Sequence, residues 1–145
     1  MATLNPYLTF DGTCREAMTF YSKCLGGTLT LMTVGDSPAS AQIAKENHHH
    51  IMHSSVTAGS LVLMASDRLG TGEHIEGTNI SLMLQCGSEE EIRSLFAKFS
   101  EGGTVNTEFK VEFWGAMYGD VTDRFGLRWM FNYEKPKDES EASGL

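Results

Sequence analysis

Four histidines fall within six positions, His48, His49, His50 and His53, and they are the densest chemistry in the chain. Imidazoles exchange protons near neutral pH and bind borderline divalent metals. If the segment is a strand, alternation puts His48 and His50 on one face and His49 and His53 on the other. A pair could then grip an ion, although an exposed polar strand entry would use the same residues without function. His53 has its own bland reading, a hydrogen-bonded histidine at the rim of a core. Phe113, Trp114 and Tyr118, before the turn Asp123-Arg124-Phe125-Gly126, offer aromatic surface with polar tips. Such residues line pockets for flat ligands or fill a core or subunit seam. Asp123 suits an Asx-type bond that orders the turn. Methionines such as Met32, Met64, Met83 and Met130 fall on apolar stretches and give an adaptable interior or pocket wall. Cys14 is placed in the first turn of a helix but has no histidine near it in sequence, so it receives no nucleophilic role.

Several function classes find no support. There is no Gly-rich phosphate loop, no G-x-S-x-G elbow and no H-E-x-x-H helix. The net charge of −8, from 19 acidic and 11 basic residues without a Lys/Arg stripe, argues against a nucleic-acid surface. Three cysteines without C-x-x-C spacing suggest neither a disulfide framework nor a zinc knuckle and fit a reducing, cytoplasmic setting. The N-terminal residues lack a basic n-region followed by an apolar h-region, and no apolar run approaches the ~18 residues of a membrane span.

The elements that must position these side chains come as a repeat. Thr13-Cys14-Arg15-Glu16 reads as a capping box opening a helix with the apolar stripe Ala17, Phe20, Tyr21, Cys24 and Leu25, stopped by Gly26-Gly27. Ser88-Glu89-Glu90-Glu91 opens a second, with Ile92, Leu95, Phe96 and Phe99 on one face and Gly102-Gly103 after it. Thr13 to Ser88, Ala17 to Ile92 and Phe20 to Leu95 are all 75 apart. Later segments repeat at 65 (His53 to Tyr118) and 66 (Met64 to Met130), so the loop from Val34 to Asn47 belongs to the first copy. The pattern predicts strands at 4–10, 27–33, 49–57, 60–66, 79–86, 103–109, 115–122 and 127–133, with helices at 13–25 and 88–101. This is an α+β chain of two βαβββ modules, about 1–66 and 78–135, in a single domain 1–135, with a flexible tail at 136–145. Two curled four-stranded sheets, each backed by a helix, would form a partly open eight-stranded barrel around a small-molecule cavity. In that arrangement the repeat sets His53 opposite Tyr118, a candidate acid/base pair.

The segments PYLTFDGTCREAMTFYSKCLGG, LVLMASD and FWGAMYGDVTDRFGLRWMFN resemble the PhnB-like branch of the vicinal oxygen chelate superfamily, which includes glyoxalases, bleomycin-resistance proteins and extradiol dioxygenases. They span most of residues 6–132. The resemblance implies the barrel just described, a small organic ligand and a homodimer; open curved sheets also leave apolar edges that association can cover. Some members of the branch carry the label 3-demethylubiquinone 3-methyltransferase. This chain has no glycine-rich turn between a strand and a helix N-terminus, which a Rossmann-type S-adenosylmethionine site would need. Superfamily enzymes hold a divalent metal with His, Glu or Gln from the first, fourth, fifth and eighth strands. At those places the predicted register puts Asn5, Met64, Asn79 and Met130, or, two residues along, Tyr7, Ser66, Ser81 and Asn132. Neither set suits such an ion. The expectation is a binding protein or weak enzyme without metal or other cofactor, its pocket lined by Tyr7, Met64, Asn79, Phe113, Trp114, Tyr118 and Met130. The alternatives are an enzyme whose metal is displaced toward His53, and an antibiotic-sequestering protein.

Overall fold

The computed structural model describes residues 1–112 and 115–136. It divides into two compact units, Met1–Ile75 and a second that starts at Glu76. The proposed tail lies outside the described residues from 137 onward.

The first unit runs β1 (Tyr7–Phe10), α1 (Cys14–Leu25), β2 (Thr28–Thr33), β3 (Ile51–Ala58) and β4 (Leu61–Asp67). Its sheet has the order β1-β4-β3-β2, with β1 parallel to β4 and the other neighbours antiparallel. The second unit repeats the pattern as β5 (Leu82–Gln85), α2 (Glu89–Ser100), β6 (Thr104–Val111), β7 (Ala116–Thr122) and β8 (Arg128–Glu134). Its order is β5-β8-β7-β6, and β5 is the strand parallel to its neighbour. Each unit is therefore βαβββ with an open, mixed, four-stranded sheet, and the chain is α+β. Pairing confirms the repeat offsets. Met64 lies opposite Ser55 as Met130 lies opposite Asp120, which separates the copies by 65 on one strand and 66 on the next.

Each helix covers one face of its own sheet. In the first unit Ala17, Met18, Tyr21 and Cys24 of α1 are buried, as are Val56 and Leu63 of the sheet. The buried stripe also takes in Cys14, while Phe20 and Leu25 are only half-buried. In the second unit Ile92 and Phe99 of α2 are buried with Trp129, Phe131 and Val121. Phe99 lies with its ring centroid 4.6 Å from that of Trp129 and 5.5 Å from that of Phe131.

The two helix starts differ. Ser88 accepts from the Glu91 N–H at 3.0 Å, and Glu91 Oε1 accepts from the Gly87 N–H at 2.8 Å, one residue before the cap the box was expected to close on. Thr13 makes no such bond, contrary to the reading of Thr13-Glu16 as a capping box. Its backbone (φ −111°, ψ 13°) is not the extended conformation that turns a cap hydroxyl toward the helix. Asp67 replaces it from the end of β4: Oδ1 accepts from the Cys14 N–H at 3.0 Å, and Oδ2 from the Ile51 N–H at 2.8 Å. One buried carboxylate thus ties together the starts of α1 and β3 and the end of β4.

The segment expected to be a plain loop, Val34 to Asn47, contains two short 3-10 helices, Pro38–Gln42 and Lys45–Asn47. β5 begins at Leu82 rather than 79, because its ladder with β8 starts at the Leu82–Trp129 pair. Likewise β1 begins at Tyr7 rather than 4.

Candidate functional site

Alternation along the strands gives each sheet a second face, turned away from its own helix. In the first unit this open face carries Tyr7 beside Met64, Met64 beside Ser55, and Met32 directly opposite His53. Tyr7 and Met32 are exposed, while His53, Ser55 and Met64 are half-buried. The Tyr7 hydroxyl lies 2.9 Å from His53 Nδ1, and the two ring centroids are 5.6 Å apart at 32°. The phenol therefore spans β4 to reach β3, joining residues 46 apart in sequence.

In the second unit the open face carries Tyr118 opposite Asn132, and Asp120 opposite Met130, which in turn pairs with Met83. The Tyr118 hydroxyl donates to Asp120 Oδ2 at 2.8 Å. Burial first, then the accepting Asp120 carboxylate and the charge of Glu112, push the Tyr118 phenol up to about 12. Asn132 Nδ2 donates to Gln85 Oε1 at 3.0 Å, and Gln85 Nε2 reaches Met83 Sδ at 3.0 Å. This face is an array of amides, a phenol and a carboxylate beside thioethers.

Of the pocket residues expected from sequence, Tyr7 and Met64 are neighbours on one open face, and Tyr118 and Met130 share the other. Asn79 is exposed and precedes β5, so it stands on neither sheet; Asn5 likewise precedes β1. Phe113 and Trp114 lie outside the described residues. His53 and Tyr118, expected as a pair, each have a partner within their own unit, Tyr7 and Asp120. Sequence reading passed over Asp120 and Gln85. The Tyr118-Gly119-Asp120 spacing did carry the signal, because residues two apart on a strand share a face.

His48, His49 and His50 do not form a strand face, since they occupy a turn and β3 starts at Ile51. His48 Nε2 lies 3.0 Å from the Ser40 carbonyl and 2.8 Å from that of Ile43. Carbonyls only accept, so this nitrogen carries the proton and is occupied in closing the 3-10 segment. The His49 and His50 rings meet edge to face at 4.5 Å. Among the described residues no three His, Cys, Asp or Glu side chains converge as metal ligands would. Cys14 is fully buried with Sγ 3.4 Å from Ser54 Oγ, and burial is the main cause that raises its thiol to about 11. Raised in this way, the thiol stays protonated at neutral pH. Asp123 accepts from the N–H groups of Phe125 and Leu127 and from Trp129 Nε1, so it orders its turn as expected.

Residues 3–131 match the family model of the Glyoxalase/Bleomycin resistance protein/Dioxygenase superfamily. The chain belongs to this superfamily. It is 31% identical over 141 residues to Protein YjdN of Escherichia coli (strain K12), covering 91% of this chain and 95% of that protein. Among solved structures, protein PA1353 from Pseudomonas aeruginosa is 40% identical with a TM-score of 0.81, covering 94% of this chain and all of the other (100%). A PhnB protein from Bacillus cereus shares the fold at 20% identity and a TM-score of 0.73, over 91% of this chain and 99% of its own.

The superfamily's divalent metal can be tested against the side chains present. β1 and β4 turn Tyr7, Thr9, Met64 and Ser66 to their open face. β5 and β8 turn out Met83, Gln85, Met130 and Asn132, with Glu134 at the last position of β8. Hydroxyls, thioethers and amides are poor ligands for Zn²⁺, Ni²⁺ or Fe²⁺ beside the imidazoles and carboxylates those ions prefer.

Proposed function

We propose that this chain binds a small organic molecule through the open faces of its sheets, and that no divalent metal takes part. The donor set carries this reading: the open faces of β1, β4, β5 and β8 offer mainly thioethers, hydroxyls and amides, with a single carboxylate, Glu134, at the end of β8, where an ion needs several imidazoles or carboxylates together. Each unit by itself supplies a few placed polar groups among soft apolar ones: Tyr7, His53, Ser55 and Met64 in the first, and Tyr118, Asp120, Asn132 and Met130 in the second. That mixture characterises small-molecule sites. His53 is the candidate for proton transfer should a reaction occur, because its imidazole is half-buried and already oriented by a hydrogen bond.

Native mass spectrometry of the full chain tests the proposal. A retained organic mass that is lost on denaturation and absent from a Met64→Asp, His53→Ala double variant is the expected result. An adduct with the mass of one transition-metal ion, lost from the same variant, would favour the displaced-metal reading instead.

A further inference from the structure

We propose that Tyr7 fixes the tautomer of His53, so that Nε2–H stands on the open face of the first sheet as a donor for a carbonyl or oxyanion oxygen on a flat, largely apolar ligand. This deepens the organic-ligand reading and rests on it.

A neutral imidazole has one N–H and one bare nitrogen, and the hydrogen bond at one decides what the other offers. Tyr7 Oη and His53 Nδ1 are 2.9 Å apart, a normal distance for either O–H···N or N–H···O. Acid-base matching separates the two. A phenol is a stronger acid than a neutral imidazole N–H, and a bare imidazole nitrogen is a stronger base than a phenolic oxygen. The phenol therefore donates to Nδ1, and the proton of the imidazole resides on Nε2, on the side of the ring away from Tyr7.

The surroundings define what that proton meets. Met32 is the direct cross-strand neighbour of His53, and Met64 that of Tyr7. Two thioethers beside an oriented ring favour an aromatic or otherwise polarisable body. Ser55, between them in the strand order, adds a hydroxyl and no charge. The strand positions around the donor hold no carboxylate to attract a cation. An uncharged face with a fixed N–H selects an acceptor atom. Tyr7 acts as a positioning residue here, and His53 makes the contact.

The test is ¹⁵N NMR of the histidine rings in the full-length chain, at about pH 8, where an ordinary imidazole is neutral. His53 is assigned by loss of its signals in His53→Gln. The expected result is a pyridine-type Nδ1 and a pyrrole-type Nε2, replaced in Tyr7→Phe by the averaged shifts of a ring free to exchange tautomers. A pyrrole-type Nδ1 in the unsubstituted protein would overturn this inference while leaving the organic-ligand reading intact. The second arm titrates the protein with 4-hydroxyacetophenone, which has a carbonyl acceptor, and with benzylamine, a cation without one. Saturable shifts of the His53 Nε2–H with the first probe, weakened about tenfold in Tyr7→Phe, are expected. Tighter binding of benzylamine would overturn the assigned ligand class. If neither probe binds while the tautomer is as assigned, the ligand reading fails and the role of Tyr7 stands.

Discussion

Asp67 closes a helix, a strand start and a strand end with one carboxylate, and that concentration makes it the most sensitive polar position in the first unit. Removing it leaves the buried N–H groups of Cys14 and Ile51 without acceptors, at about 1–3 kcal/mol each. Asp67→Ala should lower the unfolding free energy by about 2–4 kcal/mol in urea titrations, whereas Thr13→Ala should change it by less than about 0.5 kcal/mol. A large effect at Thr13 would contradict the observed cap. Three further residues set the behaviour at high pH. Burial raises the Cys14 and Cys86 thiols from 9.0 to about 11 and the Tyr118 phenol from 10.0 to about 12. The unfolded chain gives up these protons first, so the stability they contribute is complete below about pH 9 and is lost as pH climbs toward 11–12. Denaturant midpoints should fall steadily across that window, and a Cys14→Ala, Cys86→Ala double variant should show a shallower fall. At this scale sequence revealed only local chemistry. The Asx-type role of Asp123 was legible because its partners are close in sequence, whereas the Tyr7–His53 bond joins residues 46 apart. No local pattern encodes such a contact.

The elements were legible where residues declare their own ends. α2 starts where its Ser-x-x-Glu box says, and both helices stop near their glycine pairs, Gly26 and Gly102 having φ of 70° and 75°. Ser88→Ala should therefore cost about 1 kcal/mol. The ends of β1 and β5 were misplaced because a strand ends where its neighbour stops pairing, which is a property of two segments. The histidine run misled for a related reason: polar residues before an apolar strand read equally well as strand or turn. Structure also explains why the glycine pairs are double. The second glycine of each pair, Gly27 and Gly103, passes against a backbone carbonyl of the next strand, Thr57 O and Thr122 O. A Cβ at Gly27 would lie 2.7 Å from Thr57 O, and one at Gly103 would be tighter still. Gly27→Ala and Gly103→Ala should each destabilise by about 1–3 kcal/mol, with the melting temperature as the readout. Retained stability in both would mean that the strands can separate without penalty.

At the scale of the molecule, a repeated order of helix starts, apolar stripes and glycine stops foretold two like units, because a chance match of all three is rare. What the period could not convey is the different chemistry of the two open faces, an imidazole–phenol pair in one and a carboxylate–amide array in the other. Val105 and Val111 are exposed on β6, and we propose that they are part of what a homodimer covers. Light scattering behind size exclusion should then give twice the 15.9 kDa chain mass, and a Val105→Lys, Val111→Lys variant should shift toward the single mass. No helix is long and apolar enough to cross a membrane among the described residues. The central claim is that the open faces recognise a ligand without an ion. Elemental analysis of protein prepared without chelator, then dialysed against Zn²⁺, Ni²⁺ and Mn²⁺ in turn and desalted, tests it most directly. The account predicts substoichiometric metal throughout, and one tightly retained ion per chain would contradict it.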